Sequence, residues 1–237
     1  MNPMDDCKLQ FKGGNPGAVQ FGNFINYYQF HSPDDRITLL PKYIWNQHKP
    51  FVALDIGCNT GNLTIALKEF FEEHVSKDTS ILAVDIDPVL IDRAKDVKIN
   101  NIKFQCLDIM EENERDAIIN SYLKDHSLKR FTALFCFSTT MWIHLNHGDL
   151  GLKKFLKYIS TISDMIIVEP QPWKCYKTAV KRMKQKDFVF SEFSKLKIRE
   201  SVENDIQDIL VKECNMKKVV ESERTTWGRK LLIFIQK

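Results

Sequence analysis

Residues 51–61 read Phe51-Val52-Ala53-Leu54-Asp55-Ile56-Gly57-Cys58-Asn59-Thr60-Gly61. An apolar run that ends on an acid and then meets two glycines is the pattern of a buried strand turning tightly into a helix. The G-x-x-x-G spacing is weak by itself. It differs from the G-x-G-x-x-G dinucleotide fingerprint and from the phosphate-binding loop, because no Gly-Lys-Ser/Thr follows. Its weight comes from what lies downstream. A second apolar run, 81–85, ends at Asp85, and a third, 102–107, stops before Asp108. Helical patterns fill the gaps at about 63–74, 88–96 and 111–125. Strands are predicted again at 131–138 and 164–169, on either side of a helix near 150–161. The last third predicts helices at 174–186 and 203–214, then strands at 216–221 and 230–236 joined as a hairpin through 225–229. Such alternation builds a largely parallel sheet covered by helices on both faces, an α/β fold in one domain.

In open α/β sheets, ligands settle in the crevice beside the carboxyl ends of the strands. Asp55, Asp85 and Asp108 stand at three such ends. Asp85, with Ile86 beside it, is suited to accept hydrogen bonds from the two hydroxyls of a ribose. Asp108 can accept from an adenine amino group while Ile109 covers the ring. Asp87 precedes Pro88 and has the alternative of capping the helix that begins there. Cys58 is read as packing beside the glycine turn.

Composition narrows the class further. With 237 residues, 43% hydrophobic and 27% charged, the chain suits a globular protein rather than a disordered one. Six cysteines, at 7, 58, 106, 136, 175 and 214, form no CxxC pair; this argues against a disulfide framework or zinc module and for a reducing compartment. His144, His147 and Asp149 are too few for a metal site and no HExxH occurs, so no metal is expected. The uncharged stretch 131–148 contains Ser138, Thr139, Thr140, His144, Asn146 and His147, too polar for a membrane span. No basic-then-apolar signal opens the chain; the expectation is a cytoplasmic location, with the nucleus second, and no membrane partner. Residues 1–20, with Gly13, Gly14, Pro16 and Gly17, read as a flexible leader, and 21–237 as a single domain. The net charge of +3 says little, but six basic residues and no acid lie between Lys174 and Lys186. Lys174, Lys177, Lys181 and Lys184 form a helical stripe opposite Tyr176, Val180 and Met183, which points to an anionic partner or to a solvated lysine face.

The segments LDIGCNTG, VDIDP and LDI resemble the methionine-side loop, ribose segment and adenine segment of S-adenosylmethionine-dependent class I methyltransferases. That resemblance implies a Rossmann-like, seven-stranded, mostly parallel sheet in the order 3-2-1-4-5-7-6, with the seventh strand antiparallel. It implies S-adenosyl-L-methionine as cofactor, held by Asp55, Gly57, Asn59, Gly61, Asp85, Ile86, Asp108 and Ile109. Four further stretches sharpen it: FGNFINYY at 21–28, the Arg36 region, STTMWIHLNHGDLGLKKF at 138–155 and VEPQPWKCY at 168–176. Occurring in family order, they resemble the bicoid-interacting-3 (BCDIN3-domain) family of RNA 5′-phosphate methyltransferases, nearest its 5′-monophosphate branch. The substrate so implied is a small RNA with a 5′-monophosphate, such as histidine tRNA or a precursor microRNA, and not DNA. The alternatives are γ-phosphate capping of small nuclear RNA and protein methylation. Residues 21–48 become a lid over cofactor and RNA end, with Phe21, Asn23, Tyr27, Tyr28 and Arg36 at the substrate. Phe24 stands where the family pattern usually has tyrosine. From the residues alone, Phe24 and Phe30 are expected in the core, whereas a tyrosine can pack on a nucleoside and still donate a hydrogen bond.

The implied reaction is attack of a terminal phosphate oxygen on a sulfonium methyl. A phosphomonoester with a second pKa near 6 is mostly dianionic at neutral pH, so no general base is required. The expected phosphate-positioning groups are Tyr28, His144 and Lys174. Tyr27, Arg36, Asn146, His147, Gln171 and Trp173 are expected nearby, and Lys177 and Lys181 along the RNA. Glu169 is read as orienting its neighbours. A monomer is expected.

Overall fold

The computed structural model describes Leu9, residues 19–45 and residues 50–237. Most of the expected 1–20 leader, and the 46–48 end of the expected lid, lie outside the described residues. Within the leader, Val19 is buried and Gln20 hydrogen-bonds Asn146, so its last two residues belong to the packed domain.

Seven strands form the sheet: β1 (Phe51–Ile56), β2 (Thr79–Asp85), β3 (Ile102–Cys106), β4 (Ala133–Phe137), β5 (Met165–Glu169), β6 (Met216–Arg224) and β7 (Lys230–Gln236). Their order is β3-β2-β1-β4-β5-β7-β6, as expected from the resemblance. The first five pair in parallel, and β7 enters antiparallel between β5 and β6. Every residue of β1, β2 and β4 is buried. This is why those strands read as continuous apolar runs instead of alternating ones.

The helices are α1 (Pro33–Ile37), α2 (Asn62–His74), α3 (Pro88–Asp96), α4 (Glu112–Asp125), α5 (Thr140–Ile162), α6 (Trp173–Lys184) and α7 (Val202–Asp208). On one face Val52, Leu54 and Ile56 of β1 pack with α4, α5, α6 and α7. On the other, Phe51 and Ala53 pack with α2, while α3 meets Ala83 and Phe104.

One element departs from the sequence reading. Instead of a polar approach loop leading to a helix near 150, α5 already begins at Thr140 and continues to Ile162 through a break at Gly148. The two glycines at 148 and 151 mask a pattern that buries Met141, Ile143 and Leu145 before the break and Leu152, Phe155 and Leu156 after it.

Two features of this architecture position the site. Gly57 has φ 79°, and a Cβ there would collide with the Thr139 side chain, so the β1 turn needs glycine. An antiparallel strand starts where its parallel neighbours finish, so β7 carries the 225–229 turn to the same edge as the carboxyl ends of β1–β5.

Candidate active site

A cavity of about 780 Å³, mouth included, opens over the carboxyl ends of β1, β2 and β4. Gly57, Asn59, Asp85, Ile86, Asp108 and Ile109 all line it. The Asp85 carboxylate is fixed by backbone amides: Oδ2 accepts from Asn59 N at 2.9 Å and Oδ1 from Asp87 N at 3.0 Å. Each oxygen keeps a lone pair for a ligand hydroxyl. Burial pushes this carboxyl up to about 6. Asp108 Oδ1 accepts from Met110 N at 2.9 Å, which leaves Oδ2 for a ligand donor. Asp87 does what its alternative reading proposed, capping α3 through Val89 N at 2.9 Å.

Asp55 and Gly61 do not line this cavity, contrary to expectation. Side chains alternate along a strand, so Asp55 falls on the Phe51/Ala53 face, where Oδ2 accepts from the Thr64 hydroxyl at 2.6 Å and ties β1 to α2. Burial raises its carboxyl to about 6. Gly61 caps α2 and lies against Phe104.

The segment from Val19 to Trp45 covers this edge. Asn23 Nδ2 donates to Asp87 Oδ2 at 2.7 Å, Asn59 Nδ2 donates to Phe24 O at 2.9 Å, and the Tyr28 hydroxyl donates to Cys58 O at 3.1 Å. Gly22 lies so close to the Trp142 indole that any side chain would overlap it. Phe21, Asn23 and Tyr27 reach the cavity wall. Tyr28 does not: it packs on the α2 side of the sheet and spends its hydroxyl on the glycine turn. Its expected part in phosphate positioning is therefore corrected to fastening the lid, and Tyr27 faces the cavity instead.

A second cavity, of about 1200 Å³ with its open mouth included, adjoins the first, and Tyr27, Ser138 and Trp142 belong to both walls. Arg229, Lys174, Arg182 and His31 line it. Behind it, the fully buried Glu169 receives Arg36 in bidentate fashion, Nε to Oε1 at 3.2 Å and Nη2 to Oε2 at 2.7 Å. It also accepts from Trp227 Nε1 at 3.1 Å and from the Ser138 hydroxyl. Arg229 Nη1 lies 3.6 Å from Oε2 and donates to Ser138. Burial pushes the Glu169 carboxyl up, but the Arg36 charge and hydrogen bonds, with Arg229, bring it below the ordinary carboxylate range overall. One carboxylate facing two guanidiniums leaves net positive charge at the buried end of the cavity. His31 stacks on Tyr27 with centroids 4.5 Å apart. Burial, then Arg229 and Arg36, push its imidazole down to about 4, so it is neutral at pH 7.

His144 is placed elsewhere than expected. It is fully buried, with Nδ1 3.0 Å from the Tyr176 hydroxyl and Nε2 2.8 Å from Asp149 Oδ1, and it lines neither cavity. Helical phase on α5 turns it into the interface with α6, where it is a packing group. His147 lines the first cavity, on the side of Asp108. Asn146 holds Gln20 and the Trp142 carbonyl. Trp173 stacks on Phe193 at 5.3 Å, away from both cavities, and Arg36 sits behind Tyr27. Gln171 borders the second cavity with both amide ends engaged, by Ser138 O at 2.6 Å and Met141 N at 3.3 Å. On α6 the cavity face is Lys174, Thr178 and Arg182, spaced four apart, while Lys177 and Lys181 lie outside it. Arg182 was legible from that spacing. Ser138 and Trp142 stand in the 138–155 stretch that the sequence already marked after β4, whereas His31 and Arg229 had no local signal; Arg229 enters only through the insertion of β7.

This sheet order, with a glycine turn after β1 and an acid after β2 facing one crevice, defines a Rossmann-like class I methyltransferase fold. The solved structure of LepI in complex with SAM shares it, with a TM-score of 0.54 at 13% identity over 85% of this chain and 48% of that one. The model of the Bicoid-interacting protein 3 (Bin3) family matches residues 131–236. RNA 5′-monophosphate methyltransferase of Rattus norvegicus is 39% identical over 92% of this chain and 84% of its own. Pre-miRNA 5′-monophosphate methyltransferase of Xenopus laevis is 38% identical over 93% of each. The chain belongs to the Bin3 family.

Proposed function

We propose that this chain transfers a methyl group from S-adenosylmethionine to the 5′-terminal phosphate of monophosphorylated small RNA, the activity for which its rat and frog relatives are named. The observation that carries the proposal is the shared wall: an acid-edged cavity and a basic cavity meet at Tyr27, Ser138 and Trp142. The residues of the first fit the donor. Asp85 and Asp108 present acceptors for a ribose and an adenine amino group, and in the same wall the buried Asn23 Oδ1 has no hydrogen-bond partner among the described residues. When bound, S-adenosylmethionine supplies an electrophilic methyl on a sulfonium.

The protein's part is to bind and aim. Arg229, at the buried end, and Lys174, at the mouth, attract the terminal phosphate. Because Arg36 donates to the Tyr27 oxygen at 2.6 Å, that oxygen is used as an acceptor, and its proton is left to donate at the junction. Glu169 shares the charge of Arg229, which lets the site orient a dianion without clamping the attacking lone pair. Such alignment is worth several kcal/mol of barrier, on the order of 7 or more in favourable cases. The lid ties at Asn23, Tyr28 and Asn59 hold the lid over the crevice.

The test is methyl transfer from labelled donor to one RNA prepared with a 5′-hydroxyl, a monophosphate or a triphosphate. Label is expected on the monophosphate and not on the hydroxyl form. Equal labelling of the hydroxyl form contradicts the phosphate assignment, and preference for the triphosphate converts the reading to a capping reaction.

A further inference from the structure

Resting on that reading of the two cavities, we propose that Phe30 is the stacking platform for the base of the RNA's 5′-terminal nucleotide. The sequence pattern expects Phe30 in the core, yet its ring is 49% exposed and lines the second cavity. Local geometry explains the placement. Tyr27–Gln29 is a 3-10 turn closed by Phe30 N donating to Tyr27 O at 3.2 Å. A three-residue repeat sets residues 27 and 30 on one side, facing the cavity, and sends Tyr28 inward to Cys58.

The cavity has a direction. Its buried end carries Ser138 and Arg229, next to the wall shared with the donor cavity, and its mouth carries exposed Lys174 and Phe30. The reacting phosphate belongs at the buried end, where the two cavities meet. The nucleoside attached to that phosphate must then lead back toward the mouth, and the flat apolar group it meets there is Phe30. Lys174, Thr178 and Arg182, four residues apart on α6, line the same cavity and accompany the strand as it leaves. A half-exposed phenyl ring sharing a cavity with the two cations Lys174 and Arg182 is the arrangement by which single strands are held, base on ring and phosphate on cation. Every base has a π face, so this contact adds affinity without choosing among bases.

The experiment compares two short 5′-phosphorylated oligoribonucleotides, identical except that the first nucleotide of one is abasic, by equilibrium binding and by methyl transfer. It uses wild type, Phe30→Ala and Phe30→Trp. Removing the base is expected to weaken wild-type binding and raise KM about tenfold, with kcat little changed. Phe30→Ala should show the same loss on the intact RNA and no further loss on the abasic one. Phe30→Trp should restore discrimination. Equal loss on both RNAs, or no loss on the intact RNA, overturns the stacking role. Binding that follows the expected pattern without methyl transfer overturns the reading of the reaction and leaves the stacking contact standing.

Discussion

The cavity of Asp85 and Asp108 is built on strand ends, with the lid and α5 closing it, whereas the cavity of Arg229 and Lys174 is walled by side chains from the lid, α5, α6 and the turn before β7. In the first, Asp85 is held by two main-chain N–H groups that any sequence forming the same turn would supply. In the second, Arg36, Arg229, Ser138 and Trp227 are held together by one carboxylate, Glu169. On the proposed reading, donor binding is a property of the sheet, while substrate handling hangs on a single buried charge cluster joining residues far apart in the chain.

That contrast can be broken most forcefully at Glu169. Glu169→Gln leaves two mostly buried guanidiniums without their carboxylate and is expected to destabilise the fold by about 3–5 kcal/mol, read as a lower denaturation midpoint in urea. A variant as stable as wild type would mean the cluster does not organise this side of the molecule. Next comes His144→Ala. It strands the Tyr176 hydroxyl and opens a small void, so about 2–4 kcal/mol of stability should go, with kcat/KM of the folded fraction nearly unchanged. A selective loss of kcat would restore His144 to the reacting centre.

The pH response separates the two cavities more gently. Asp85 has a folded pKa of about 6, above its ordinary 3.8. The sign follows from that shift: protonation is favoured in the folded state, so the contribution of Asp85 to stability is present below about pH 4 and lost as pH rises through 6. Donor affinity runs the other way, because the ionised carboxylate is the better acceptor. Calorimetry should show S-adenosylmethionine binding weakening severalfold from pH 7 to pH 5, and Asp85→Asn should flatten that profile. His31, at about 4, stays neutral across the same range and should add no step to RNA binding. The smallest effect is on α6. Lys174→Ala should weaken RNA binding a few-fold and reduce its salt dependence by about one ion, while Lys177→Ala leaves both nearly unchanged. Equal effects at the two positions would point to diffuse attraction by the whole helix.

The same contrast governs what could be read from the sequence. Asp85 ends β2 and Ile86 follows it, and Asp108 and Ile109 lie just past the end of β3, so the strand pattern put them beside the crevice, and the resemblance supplied the sheet order. Asp55 was misplaced because its neighbours in sequence face the cavity, while strand alternation turns its own side chain to Thr64. On the substrate side, adjacency misled at Tyr27 and Tyr28, where a tight turn sends one to the junction and the other to Cys58. Gly148 disguised α5 as a loop and made His144 look accessible. Arg229 lies 60 residues beyond Glu169 and becomes its neighbour only when β7 enters the sheet, a pairing that no local pattern encodes.

The most direct test of two adjoining sites with separate duties is paired calorimetry on Asp85→Ala and Arg229→Gln, each titrated with S-adenosylmethionine and with a short 5′-phosphorylated RNA. Asp85→Ala is predicted to lose about tenfold or more in donor affinity with RNA binding intact, and Arg229→Gln to do the reverse. Variants that weaken both ligands alike, or each the wrong one, would contradict the assignment of donor and phosphate to these two cavities.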